Sequence, residues 1–161
     1  MSAYDVVVVG GRVAGSATAF LLSRAGLRVA LLERSRYGSD TVSTHGLQRA
    51  GVLQLSRWGL LDEVLAADTP PVRQVVFRYR GLDAVPVPIR PSPGVDALYA
   101  PRRQVLDKIL ADAAARAGAD VSFGAAVTGL LRDRAGRIRG VHGRTAGGTP
   151  FEHRADLTIG A

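Results

Sequence analysis

Asp5-Val6-Val7-Val8-Val9-Gly10-Gly11-Arg12-Val13-Ala14-Gly15 runs into Ser16 to Ala25 and Gly26, and Arg28-Val29-Ala30-Leu31-Leu32-Glu33-Arg34 follows. Val6 to Val9 has no polar alternation, so it reads as a strand covered on both faces, as parallel strands are. Gly10 suits a sharp turn where a Cβ would clash. Ser16 to Ala25 predicts a helix, with Gly26 as its C-terminal stop. Arg28 to Glu33 is a second apolar strand, ending in an acid. The order is a βαβ unit with a glycine-rich first turn.

That unit has a chemistry. The turn from Gly10 through Gly11, Arg12, Val13 and Ala14 to Gly15 leads into a helix N-terminus, whose N–H groups and partial positive charge suit a pyrophosphate. Gly15, early in the helix, lets helix and first strand pack closely. Glu33, at the end of the second strand, is where a carboxylate accepts hydrogen bonds from an adenosine ribose. One position departs from G-x-G-x-x-G: the middle glycine is Arg12. A side chain there costs some of the backbone's approach to the phosphates. A guanidinium is the least damaging replacement, because it can turn toward the phosphates or lie over them.

At 161 residues, 47% hydrophobic and 22% charged, the sequence has the length and composition of one globular domain. No apolar run approaches the ~20 residues of a membrane span, and Asp5 with the early glycines interrupts any signal-peptide core. The expectation is a cytoplasmic protein. Cysteine is absent, which excludes disulfides, thiolate metal sites and thiol nucleophiles, and no metal site is expected. The net charge of +7 comes from twenty Arg and one Lys spread along the whole length, with only 6% aromatics. A nucleic-acid surface would cluster those arginines with aromatics, so an anionic substrate or cofactor is the better use of the surplus.

Beyond Glu33 the chain alternates short elements. Arg34 to Gly46 is a polar loop; Arg34 either lies over an adenine face or is a solvated arginine. Ser43, Thr44 and His45 form a Ser-Thr-His-Gly loop leading into a helix, where a ligand can be met. Leu47 to Trp58 and Leu60 to Ala67 read as helices, with Trp58 in the core. Val75 to Arg80 and Val85 to Ile89 alternate as a hairpin whose prolines confine it to an edge, and residues 90–96 form a linker. Pro101 starts a helix running to Ala117. Arg102 and Arg103 in its first turn oppose the helix dipole, so they either face an anion or face solvent. Short strands follow over 121–123, 127–131, 137–143, 151–155 and 156–161. They read as a meander over one face of the main sheet and then a final strand.

The order of these pieces resembles the FAD-binding part of the FAD-dependent, aromatic-hydroxylase-like monooxygenase superfamily, which includes geranylgeranyl-reductase-like proteins. The resemblance rests on Val7 to Gly15 with Glu33-Arg34, on Ser43-Thr44-His45, on Arg103-Gln104-Val105-Leu106-Asp107, and on Ala155-Asp156-Leu157-Thr158-Ile159-Gly160-Ala161. It implies an α/β fold: a Rossmann-like FAD-binding domain, its mainly parallel sheet flanked by helices on both faces, with a β-meander and an appended hairpin. It makes residues 1–161 one FAD-binding domain with an inserted hairpin and linker at 72–100. It also implies that Gly10 to Gly15 holds the FAD pyrophosphate and Glu33 the ribose, that the loop at Ser43, Thr44 and His45 approaches the flavin, that Arg103 beside Arg102 contacts the pyrophosphate region, and that Val127 touches adenine through its backbone.

The superfamily's closing strand runs into an Asp-Gly pair, and this sequence ends one residue earlier. It therefore reads as about the first 40% of such an enzyme: a fragment, a truncated gene product or one half of a split protein, expected to retain FAD weakly or not at all by itself. The implied reaction has NAD(P)H reduce the FAD, the reduced flavin take up O₂, and one oxygen atom pass to a small organic substrate. Because the flavin carries that chemistry, no catalytic residue is assigned. Three other readings remain: a flavin-dependent reductase or dehydrogenase of the same superfamily, a non-catalytic nucleotide-binding module, and, on the βαβ unit alone, a NAD-dependent dehydrogenase.

Overall fold

The computed structural model describes residues 4–42 and 46–161. Its contacts divide the chain into two units, one of residues 1–40 and 106–161, the other of residues 41–105.

The first unit is built on a six-stranded sheet. Strands β1 (Tyr4–Val9), β2 (Val29–Glu33) and β7 (Asp120–Phe123) are parallel. β10 (Pro150–Gly160) adds to the other side of β1, also in parallel. The order is β7-β2-β1-β10-β9-β8, with β8 (Ala125–Arg132) and β9 (Ile138–Thr145) antiparallel at the far side. Val6, Val7 and Val8, and all of β2, are buried, as continuous apolar runs should be.

The chain from 150 to 160 corrects an expectation. It is one eleven-residue strand, not two. Its first half pairs with β9 in antiparallel register, and from Ala155 onward it pairs with β1 in parallel. Hydrogen bonding therefore continues from the parallel sheet into the meander without a break. The meander also contributes to the core over that sheet: Ala125 and Val141 pack with Val7, Ala30, Leu32 and Ala155.

Helix α1 spans Val13–Arg24, three residues earlier than the apolar pattern suggested, and packs on β1 and β2 through Gly15, Ser16, Ala19, Phe20 and Ser23. Gly26, at φ 86°, closes it, its amide donating to the Ser23 carbonyl. Helix α4 (Arg103–Arg116) begins after Arg102, not at Pro101, and from Leu106 onward it belongs to this unit. Its buried side is Leu106, Asp107, Ile109, Leu110, Ala111, Ala113 and Ala114. An acid stands within that apolar set.

In the second unit, α2 (Arg49–Trp58) and α3 (Leu61–Ala66) are followed by two small sheets. β3 (Pro71–Val72) pairs with β6 (Leu98–Tyr99), and β4 (Gln74–Phe77) pairs with β5 (Val85–Pro88). Val52, Val95, Ala97 and Tyr99 form its core, while Trp58 is only half-buried. The hairpin exposes Val75, Val76, Phe77, Val85 and Val87, on both of its faces. No described helix is long and apolar enough to cross a membrane.

Candidate functional site

The glycine turn is sterically specified. Gly10 has φ 109°, a conformation that L side chains rarely adopt. A Cβ built on Gly15 would lie 1.7 Å from the Gly10 carbonyl oxygen, so α1 can start against β1 only because Gly15 has no side chain. The fully buried Ser16 hydroxyl donates to the Gly11 carbonyl at 2.8 Å and pins the turn from below. Gly10 N–H donates to Leu32 O, and Ala161 N–H to Val9 O, so the ends of β1, β2 and β10 meet at this turn.

Glu33 sits at the centre of the site and is 5% exposed. Its Oε2 accepts from the Gly11 amide at 2.6 Å. Its Oε1 accepts from the Ser35 amide at 2.7 Å and from the Ser35 hydroxyl at 2.6 Å. Burial alone would raise the carboxyl's pKa. The bonds from Ser35 and Gly11, with the Arg12 charge nearby, outweigh burial and hold it below the ordinary glutamate value. Glu33 is therefore a carboxylate at neutral pH.

Arg12 is the residue before α1 and leaves the helix without a side-chain cap. Its Nη1 donates to Asp107 Oδ2 at 2.8 Å, an ion pair, and to Ser39 O at 3.1 Å. Its Nη2 donates to the hydroxyls of Ser39 at 3.2 Å and Ser35 at 3.5 Å. These residues line one concave surface with Arg36, Tyr37, Gly38, Lys108 and Phe123. On its rim Lys108 lies over the Tyr37 ring, and burial together with the bond to Asp112 pushes the Tyr37 hydroxyl up to about 12.

The structure thus brings Gly10, Gly11, Arg12, Val13, Ala14, Gly15 and Glu33 together. Arg34 is exposed just beyond β2. Val127 lies on β8, half-buried and paired with Gly143. Arg102 precedes α4 and Arg103 opens it, both counted with the second unit. Ser43, Thr44 and His45 lie outside the described residues. Ser35, Ser39 and Asp107 are members of the site that sequence reading did not single out. The signal for Asp107 was available: a charged residue on the apolar side of a helix, in a chain whose glycine turn carries an unmatched arginine.

Two observations test whether these residues suit an adenine dinucleotide. α1 has no acidic residue in its first turn and no side-chain cap, so its leading amides and positive end suit an anion. Glu33 uses three acceptor positions, two on Oε1 and one on Oε2. A carboxylate offers about four, which leaves Oε2 one for a ribose hydroxyl. The donor set fits the ADP half of FAD.

The digeranylgeranylglycerophospholipid reductase 2 of Methanopyrus kandleri is 32% identical over 98% of this chain and 37% of its own length. The mitochondrial squalene epoxidase 2 of Arabidopsis thaliana is 34% identical over 98% of this chain and 27% of its own. The structure of the myxobacterial chondrochloren halogenase, an FAD-dependent halogenase, superposes with a TM-score of 0.85 at 27% identity, over 98% of this chain and 37% of that one. The chain spans about a third of the length of the relatives it matches. A family model described as FAD binding domain matches residues 3–161, and the chain belongs to that family.

Proposed function

We propose that the chain is the FAD-binding part of a flavin-dependent oxidoreductase that acts as a monooxygenase on a small organic substrate. Residues 1–161 form the FAD-binding domain, with 72–100 an inserted hairpin and linker. The backbone of Gly10 to Gly15 and the start of α1 receive the pyrophosphate, and Glu33 receives the ribose. Arg34, Arg102, Arg103, Val127 and the loop at Ser43, Thr44 and His45 complete the cofactor contacts. FAD, when bound, supplies the redox chemistry. In the overall reaction NAD(P)H gives two electrons, one oxygen atom of O₂ enters the substrate, and the other leaves as water.

The observation that carries this reading is the Glu33 carboxylate held at 2.6 Å from the Gly11 amide, beside an uncapped helix start. Calorimetric titration with FAD and ADP tests it. The expected result is weak, saturable binding of both, no retention of FAD through gel filtration, and a loss of about tenfold or more in Glu33→Ala. Absence of binding at millimolar ligand, or unchanged affinity in the variant, would remove the assignment.

A second reading is a reductase of the same superfamily, favoured by the identity to the archaeal reductase. Labelled oxygen separates the two: a monooxygenase places one atom of ¹⁸O₂ in its product, whereas a reductase adds hydrogen to its substrate without O₂.

A further inference from the structure

Arg12 stands where the glycine pattern has its middle glycine, and four of its five side-chain N–H groups are directed at the chain's own residues. Each Nη of a guanidinium carries two hydrogens. Nη1 uses its pair on Asp107 and the Ser39 carbonyl, and Nη2 on the hydroxyls of Ser39 and Ser35. Turning the fork toward a phosphate would separate it from a carboxylate whose side chain is only 9% exposed. Breaking an ion pair to a largely buried carboxylate is costly, because water cannot fully replace the lost interaction there.

The contacts also have a direction. Ser35 Oγ accepts from Arg12, so its single proton is left for Glu33 Oε1, 2.6 Å away. The chain of contacts runs from Asp107 through Arg12 and Ser35 to Glu33, and ends at the Gly11 amide. Three segments far apart in sequence are held in one arrangement by a single side chain.

We propose that Arg12 is a positioning residue. Braced by Asp107, it fixes the Ser35–Ser39 loop and through it the Glu33 carboxylate, and it acts on the adenosine ribose, not on the phosphates. The inference rests on the adenine-dinucleotide reading given above.

The test compares adenosine with ADP, binding followed by NMR, in the wild-type chain, Arg12→Ala, Asp107→Asn and the double variant, each checked for folding by circular dichroism. A brace predicts that both single variants weaken adenosine and ADP alike, by about five- to tenfold, and that the double variant is no weaker than the worse single. Arg12→Lys, which keeps the charge but not the fork, should not rescue binding. A loss confined to ADP, or unchanged or tighter binding in Asp107→Asn, would make Arg12 a phosphate ligand and overturn the proposal. Should the wild-type chain bind neither ligand, the dinucleotide reading fails. The brace is then still decided by hydrogen exchange at the Gly11 and Ser35 amides: it predicts faster exchange in both single variants, and unchanged rates refute it.

Discussion

Glu33→Gln isolates the contribution of one buried charge. The carboxylate accepts two backbone N–H groups, from Gly11 on Oε2 and from Ser35 on Oε1, and the Ser35 hydroxyl on Oε1 as well. An amide has one acceptor oxygen. If it faces Ser35, the NH₂ confronts the Gly11 N–H at 2.6 Å; if it faces Gly11, the NH₂ confronts the Ser35 N–H at 2.7 Å. The Ser35 hydroxyl can rotate to accept, but a backbone amide cannot, so one buried N–H is orphaned in either orientation. That costs about 1–3 kcal/mol. Relief from burying a charge offsets part of it. The lowered carboxyl pKa nonetheless means that the hydrogen bonds and the Arg12 charge outweigh the burial. A net loss of about 2 kcal/mol follows, or roughly 4–8 °C in Tm for a chain of this size.

The pH dependence has a definite sign. A carboxyl whose folded pKa lies below the ordinary 4.5 contributes stability that is present in full above that value and is lost as pH falls through the folded-state value. Urea denaturation of both proteins from pH 7 to pH 3 should therefore show a gap that is constant down to about pH 5 and closes below it. No gap at pH 7, or a gap that widens on acidification, would refute the reasoning.

Gly15→Ala places a Cβ 1.7 Å from the Gly10 carbonyl oxygen, a backbone atom that cannot step aside. A loss of about 3 kcal/mol in urea denaturation is expected, and a variant as stable as wild type would contradict the close approach of α1 to β1. Tyr4 and Tyr37 have hydroxyls pushed up to about 12, through burial first and then the bonds to Asp120 and Asp112. Ultraviolet titration should find tyrosine ionisation persisting near pH 12 and reduced in Tyr37→Phe, and complete ionisation by pH 11 would exclude it. The linked stabilisation is full below pH 10 and is lost as pH rises toward 12.

The parts of the fold that were legible are those written in local pattern. Val6 to Val9 and Val29 to Leu32 are apolar runs, and they are parallel strands buried at all of these positions but Val9. Gly26 ends α1 and the prolines of β5 keep it in a two-stranded sheet. Residues 150–160 read as two short runs because Ala155-Asp156 looks like a break, yet they form one strand. Continuity there is set by pairing: the strand changes partner from β9 to β1 at Ala155 without leaving extended geometry. The two-residue strands β3 and β6 carry no periodicity of their own and are set by pairing, β3 with β6 and Tyr99 of β6 also with Leu47.

The site divides along the same line. The glycines and Glu33 lie within one βαβ unit, so their spacing carried their meeting in space. What Arg12 does depends on Asp107, ninety-five positions away, and on Ser35 and Ser39 in a loop without pattern. A guanidinium at the mouth of an anion site has an evident partner in the ligand, and from sequence alone that partner is the natural choice. Only the fold supplies a nearer one: a carboxylate with 9% side-chain exposure, already held in place by the apolar side of α4. A buried acid of fixed position competes well against a mobile phosphate, because the ordering of its side chain is already imposed by the helix that carries it. The same reasoning makes Arg12 and Asp107 a unit. Where one is replaced the ion pair is lost, so replacing the other as well should add little.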